Sequence, residues 1–151
     1  MNRKFEQATP AVWPQIVALL NSVELPLDGL LEHLETTLVV RIDNVIVGCA
    51  ALELYGDFAL LRSVAVDRSH QGQGLGHDLT MAILDLARRL GIRSVFLLTE
   101  TAGEFFPRFG FKPASRLDVP EVVQQSVEFT SACPVNALVM ALSLEQETAS
   151  L

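Results

Sequence analysis

Cysteine, tyrosine, tryptophan and basic side chains are all scarce in this chain of 151 residues, and each shortage removes a class of explanation. Cys49 and Cys133 are the only cysteines, far apart and without CxxC or Cys/His spacing, so neither a zinc site nor a disulfide framework is indicated. Eleven scattered Lys and Arg residues set against 18 Asp and Glu give a formal charge of −7. That balance disfavours nucleic acid or an anionic membrane as the main partner, since both reward clustered positive charge. No apolar run reaches the ~18 residues a membrane span needs. The opening MNRKFEQATPAVW lacks the apolar core and small-residue cleavage site of a signal peptide, so the expected location is the cytoplasm.

What is present is apolar: half the residues are hydrophobic and 19% are charged, a composition that folds as a compact globule rather than remaining disordered. The length predicts one domain over residues 1–151, with a polar, frayed tail at 145–151. Thr9 and Pro10 read as the cap and first turn of a helix running to Asn21, and Asp28 as the cap of a shorter helix through Leu34. These two helices precede any convincing long strand. Residues 37–43 and 45–54 form a hairpin about Asp43-Asn44, and 59–66 adds a third antiparallel strand. A helix follows over 77–90 with apolar residues at 3.6-residue spacing, then an apolar strand at 94–99 placed to pair in parallel with 59–66. A short helix at 102–109, a strand starting at Gly110-Phe111, a helix at 120–129 and a last strand at 137–144 complete the pattern.

Between the third strand and the long helix lies Gln71-Gly72-Gln73-Gly74-Leu75-Gly76. Backbone N–H groups there can converge on an anion at a helix N-terminus, and glycine is needed because a Cβ would block the approach. No Lys-Ser or Lys-Thr follows, so it is not a Walker loop. Arg62 lies inside the apolar stretch FALLRSVAV. A buried guanidinium needs an anionic partner, which is either a substrate or Glu53 or Asp57 across the meander. His70 and His77 flank the glycine loop and read as phosphate-assisting or as ordinary surface polar residues; His33 has no visible cluster.

The order of elements, with LLRSVAVD before the loop and FFPRFGF after the 94–99 strand, resembles the GNAT family of N-acetyltransferases over residues 3–144. Its Q/R-x-x-G-x-G/A signature is matched by Gln71, Gly74 and Gly76, and its aromatic-x-x-x-Gly-Phe element by Phe106, Gly110 and Phe111. The resemblance implies an α/β fold with a mixed, mostly antiparallel, twisted sheet of six or seven strands and helices on both faces. It also implies acetyl-CoA as co-substrate and no metal. The pyrophosphate would lie on the amides of Gln71, Gly72, Gln73, Gly74, Leu75 and Gly76. The pantetheine would pair with Val64, Ala65 and Val66, and Thr99 and Phe106 would form the far wall. The Val64 or Ala65 amide is the candidate oxyanion donor.

Two departures from the family pattern stand out. Phe106 occupies the place where many members carry a proton-donating Tyr, so the general acid is absent, is water, or comes from elsewhere, with Tyr55 the only tyrosine available. Leu60 and Leu61 occupy the place of a strand Glu that serves many members as general base, for which Glu53 on the neighbouring strand is the substitute; its other reading is a solvated carboxylate near a strand end. YGDFALLRSVAVD, FLLTETAGEFFPRFGF and SVEFTSACPVNALVM are similar to a narrower branch, the small arsenic-resistance N-acetyltransferases related to N-acetylglutamate synthases. That similarity implies a small-molecule amine acceptor, a glutamate-like amino acid or its phosphinic or arsinic analogue. Arg62 and Ser63 would then bind the acceptor, with Arg108, Arg116 and Ser131 as further candidates, and Cys133 in a packing role. The alternatives are a non-catalytic CoA-binding regulatory module and a protein or peptide N-acetyltransferase. A homodimer is common among family members.

Overall fold

The computed structural model describes residues 3–100, 104–132 and 137–145, with backbone only at 131 and 132. Its centre is a seven-stranded sheet in the order β1-β2-β3-β4-β5-β7-β6. β1 is Arg3–Gln7, β2 Thr37–Ile42, β3 Val45–Tyr55, β4 Phe58–Val66, β5 Ser94–Thr99, β6 Lys112–Ala114 and β7 Leu138–Ser143. The expected meander forms β2, β3 and β4, and its first turn holds Asp43 and Asn44 at φ 51° and 68°, the left-handed pair a two-residue hairpin requires.

β1 is the strand the sequence did not announce. Its RKFEQ contains one apolar residue and is exposed almost throughout, so no alternation marks it; it docks antiparallel on β2 as a charged edge. The helices also differ in detail. The first begins as a 3-10 turn at Pro10–Val12, continues as α1 over Trp13–Ser22, and takes no side-chain cap from Thr9. The expected second helix is a 3-10 segment, Leu30–Thr36, preceded by Gly29 in the left-handed region rather than capped by Asp28. The long helix α2, Leu75–Arg89, starts inside the glycine loop. The 120–129 helix is broken into α3, Glu121–Gln124, and a wide π-type turn at Glu128–Ala132. The predicted 102–109 helix is a 3-10 turn at Phe106–Phe109, and residues 101–103 lie outside the described residues.

Helices cover both faces of the sheet. Leu75, Leu79, Ile83, Leu84 and Ala87 of α2 pack on Val40, Ala50, Leu52 and Leu61. Ile16, Leu20 and Leu30 pack on Val39, Cys49 and Ala51 on the opposite face, beside a smaller cluster of Leu60, Phe96, Val123 and Val139. Burying each such Leu or Ile contributes about 1.5–3 kcal/mol. α2 rides close to β3 because Gly48 lacks a side chain; a Cβ there would lie 2.8 Å from Leu79 Cδ1 and 2.9 Å from Val40 Cγ1.

The sheet opens where two strands run parallel. β4 and β5 pair only over Phe58–Leu60 with Ser94–Phe96. Beyond that point β5 continues its register with β7 alone, and β4 continues with β3 alone. The predicted parallel pairing is therefore present but three residues long, and the strands diverge towards their carboxyl ends.

Candidate active site

The divergence creates a cavity of about 920 Å³. Arg62, Ser63, Val64, Ala65 and Val66 of β4 form one wall, and Leu97, Leu98 and Thr99 of β5 form the other. Gln71, Gly72, Gly74, Leu75 and Gly76 close one end, and Glu24, Pro26 and Glu128 approach the other. Of the residues that the sequence assigns to a cofactor, Gln73 alone is absent from the lining; its carbonyl faces Arg3 instead.

β4 does not run straight along this wall. Ala65 faces Cys49 and Arg62 faces Ala51, so Ser63 and Val64 together oppose Ala50, and Ser63 sits at φ 58°. This is a β-bulge, which bends the strand and takes Val64 out of the regular ladder. The Cys49 thiol donates to the Ser63 carbonyl at 3.2 Å and holds the bulge from behind. Burial pushes that thiol up to about 12, against the opposing pull of the Arg62 charge, so Cys49 is an inert packing group. Cys133 and the side chain of Ser131 lie outside the described residues.

At the mouth, Gly72 and Gly74 adopt φ 82° and 83°, and Gly74 directly precedes α2. Gln71 Nε2 donates to the Val66 carbonyl at 3.0 Å, tying the loop to the end of β4. His70 pairs with Asp67 at 3.1 Å, while His77 stacks on Phe109 at 5.2 Å; both line the cavity. Phe106 is buried against Phe105 and Phe111 at 5.0 and 5.8 Å, and it brings no proton to the site.

The opposite end is a buried polar network. Arg62 Nη1 donates to Glu53 Oε2 at 2.8 Å and to the Asp28 carbonyl at 2.6 Å; Nε donates to Ser63 Oγ at 3.0 Å, and Nη2 to the Pro26 carbonyl at 3.3 Å. Glu128 Oε2 stands 3.7 Å from Nη2. Of the two partners the sequence offered, Arg62 takes Glu53; Asp57 instead faces Arg93 at 3.9 Å. Glu53 is 1% exposed, not solvated, and is not in the cavity lining. Burial raises its pKa, but hydrogen bonds with Ser126, Tyr55 and Arg62, reinforced by the Arg62 charge, outweigh burial and leave it below the usual carboxylate value. Tyr55 donates its hydroxyl to Glu53, and burial together with that bond pushes it up to about 12. Tyr55 too is absent from the lining. Arg116 stands apart from the cavity over the Phe129 ring, whereas Arg108 lines it.

The sequence did not single out Glu24, Pro26 or Glu128. The first two belong to a loop between α1 and the following 3-10 segment. Glu128 was signalled only as a carboxylate inside the otherwise uncharged QQSVEFTSA. Among the described residues, no group of three His, Cys, Asp or Glu side chains could hold a metal ion, and no helix is long and apolar enough to cross a membrane.

Known proteins share this fold. Residues 4–111 match the family model described as acetyltransferase (GNAT) family. An amino-acid acetyltransferase of Mycobacterium tuberculosis is 47% identical over 68 residues, covering 44% of this chain and 38% of that protein. One from Neisseria meningitidis serogroup A is 33% identical over 117 residues, covering 72% and 27%. The chain thus spans between 27% and 38% of the length of these relatives. N-acetylglutamate synthase from Neisseria gonorrhoeae, solved with coenzyme A and N-acetyl-glutamate, superposes with a TM-score of 0.83 at 27% identity, over 97% of this chain and 36% of that one. A Mycobacterium tuberculosis protein solved with CoA and the ligand NLQ superposes at 0.79 with 28% identity, over 94% and 99%. The chain belongs to the acetyltransferase (GNAT) family.

Proposed function

We propose that this chain is an acetyl-CoA-dependent N-acetyltransferase whose acceptor is the α-amine of a small, glutamate-like amino acid. The observation that carries the reading is the edge of β4 from Arg62 to Val66, left without a partner strand on its β5 side and running directly to a glycine loop at a helix N-terminus. An extended pantetheine pairs with Val64–Val66 as an added strand would. The pyrophosphate meets the backbone amides of the 71–76 loop, where the α2 dipole favours negative charge. The bulge presents the Val64 amide to the thioester oxygen, which it polarises as charge develops there.

The acceptor end supports an amino acid. Glu128 and Arg62 place opposite charges 3.7 Å apart on one wall, a spacing suited to the adjoining ammonium and carboxylate of a zwitterion. Nη2 is the guanidinium nitrogen with the longest contacts, to the Pro26 carbonyl at 3.3 Å and Glu128 at 3.7 Å, and an acceptor oxygen would displace one of these two. Glu53 is absent from the cavity lining and positions Arg62, whereas Glu128 lines the cavity, so Glu128 is the carboxylate to which we assign the proton that the attacking amine must lose. The amine nitrogen bonds to the acetyl carbon, the C–S bond breaks, and CoA leaves as a thiolate that water can protonate. The similarity to amino-acid acetyltransferases and to N-acetylglutamate synthase supports the same acceptor class.

Thiol release from acetyl-CoA tests this against glutamate, its phosphinic and arsinic analogues, other amino acids, a polyamine and a peptide. Selective turnover of the glutamate-like acids is the expected result. Binding of CoA with no turnover on any amine would leave a regulatory module, and turnover on the peptide alone would remove the amino-acid reading.

A further inference from the structure

Arg3 opens the edge strand β1 and reaches the glycine loop through two contacts. Its Nη2 donates to the backbone carbonyl of Gln73 at 2.6 Å, and its Nη1 pairs with Asp78 Oδ2 at 2.9 Å. Arg3 lies outside the 4–111 stretch that the family model matches.

The first contact acts through peptide geometry. In a planar trans peptide the carbonyl of Gln73 and the N–H of Gly74 point to opposite sides. Holding the carbonyl outward against Arg3 therefore turns the Gly74 amide away from Arg3, and Gly74 lines the cavity. Side-chain packing does not fix this orientation, because a Cβ added at Gly72 or Gly74 would meet nothing within 4 Å. The loop conformation rests instead on hydrogen bonds: Gln71 to the Val66 carbonyl, Arg3 to the Gln73 carbonyl, and the Asp78 amide to the Gly74 carbonyl at 3.0 Å.

The second contact acts through charge. Asp78 is the acidic residue in the first turn of α2, close to where a pyrophosphate would sit. Uncompensated, its carboxylate would repel that anion; the Arg3 guanidinium offsets it.

We propose that Arg3 is a positioning residue for the cofactor loop, aiming the Gly74 amide at the pyrophosphate and neutralising Asp78. This role rests on the reading of residues 71–76 as a CoA cradle. The Arg3 and Asp78 side chains are 33% and 45% exposed, so the effect is modest and weakens with salt.

The test is titration of CoA into the wild type, Arg3→Ala, Asp78→Asn and the double variant at low and high ionic strength, with steady-state kinetics on acetyl-CoA. Arg3→Ala should weaken CoA binding about three- to tenfold at low salt. KM for acetyl-CoA should rise in step, with kcat and the acceptor KM unmoved. Asp78→Asn in the Arg3→Ala background should recover the salt-sensitive part of the loss and leave the rest. Arg3→Lys, which keeps β1 and the charge but has a single ammonium for two acceptors, should fall between wild type and Arg3→Ala and covers the case in which Arg3→Ala loosens the strand. Equal CoA affinity in wild type, Arg3→Ala and Arg3→Lys would overturn the role of Arg3 alone. Failure of the wild type to bind CoA would overturn the cradle reading, and the role of Arg3 with it.

Discussion

Glu53 and Arg62 form a diagonal pair across β3 and β4, joined at 2.8 Å with side-chain exposures of 1% and 0%. Leu60 is the residue directly opposite Glu53 in the register, and Arg62 lies two further along on the same face. The pair is more than a local bond. Arg62 also gathers the carbonyls of Pro26 and Asp28, so one guanidinium ties a loop after α1 to the sheet beside the cavity.

Removing one partner of that pair leaves a charge buried and uncompensated. Glu53→Ala should cost about 3–5 kcal/mol in urea unfolding, and Glu53→Gln less, because it keeps a hydrogen-bond acceptor for Arg62. Folding holds the Glu53 pKa below its ordinary value of 4.5, so the native state binds fewer protons than the unfolded one as pH falls past that value. Its contribution is fully present above 4.5 and is lost as pH drops through the lower folded-state value. The wild type should therefore lose more stability than Glu53→Gln on acidification across that window. Parallel pH dependence of the two urea midpoints would contradict it.

Tyr55 is the chain's single tyrosine, so tyrosinate absorbance reports this residue alone. It should titrate at about 12 in the folded protein and near 10 when unfolded. The sign is opposite to that of Glu53: the stability it contributes is full below 10 and is lost as pH rises towards 12. Burial is the largest cause, so Glu53→Gln should lower the folded value in part without returning it to 10.

Gly48→Ala tests the close approach of α2. The added Cβ would sit 2.8 Å from Leu79, 2.9 Å from Val40 and 3.1 Å from the Ala65 carbonyl, and the last of these is backbone next to the bulge. The variant should lose about 1–3 kcal/mol. Because Ala65 also lines the cavity, CoA affinity should fall as well, which a change confined to the core would not produce.

Glu128→Gln separates the acceptor's proton from the cofactor. Loss of the carboxylate should lower turnover about 10²- to 10⁴-fold while leaving the CoA dissociation constant where it was. Unchanged turnover would move the proton acceptor elsewhere.

Much of this arrangement was legible because periodicity and glycine punctuation are local. The hairpin about Asp43-Asn44, α2 with its apolar face, and the loop Gln71–Gly76 all follow from residues within one element or its immediate turn. β1 was not legible, since a charged edge strand with Phe5 as its only apolar residue buries no face that could show alternation. The Ser63 bulge was equally hidden. LLRSVAV reads as a plain strand, and the two-against-one count becomes visible only once Ala50 is set opposite it. Arg62 could be read as needing an anion, but not which one, because its oxygen partners at Pro26, Asp28 and Glu128 are brought in by tertiary folding. Glu128 stayed obscure for the same reason: its meaning comes from the break that ends α3, not from helical spacing.

The most direct test of the account is amide hydrogen exchange with and without saturating CoA. Added CoA should slow exchange at Val64, Ala65 and Val66 and through Gly72–Gly76, with β1, β2 and the β6–β7 pair changing little. Unaltered exchange along β4 and the glycine loop in the presence of bound CoA would place the cofactor elsewhere and contradict the assignment of the β4–β5 gap as the acetyl-transfer site.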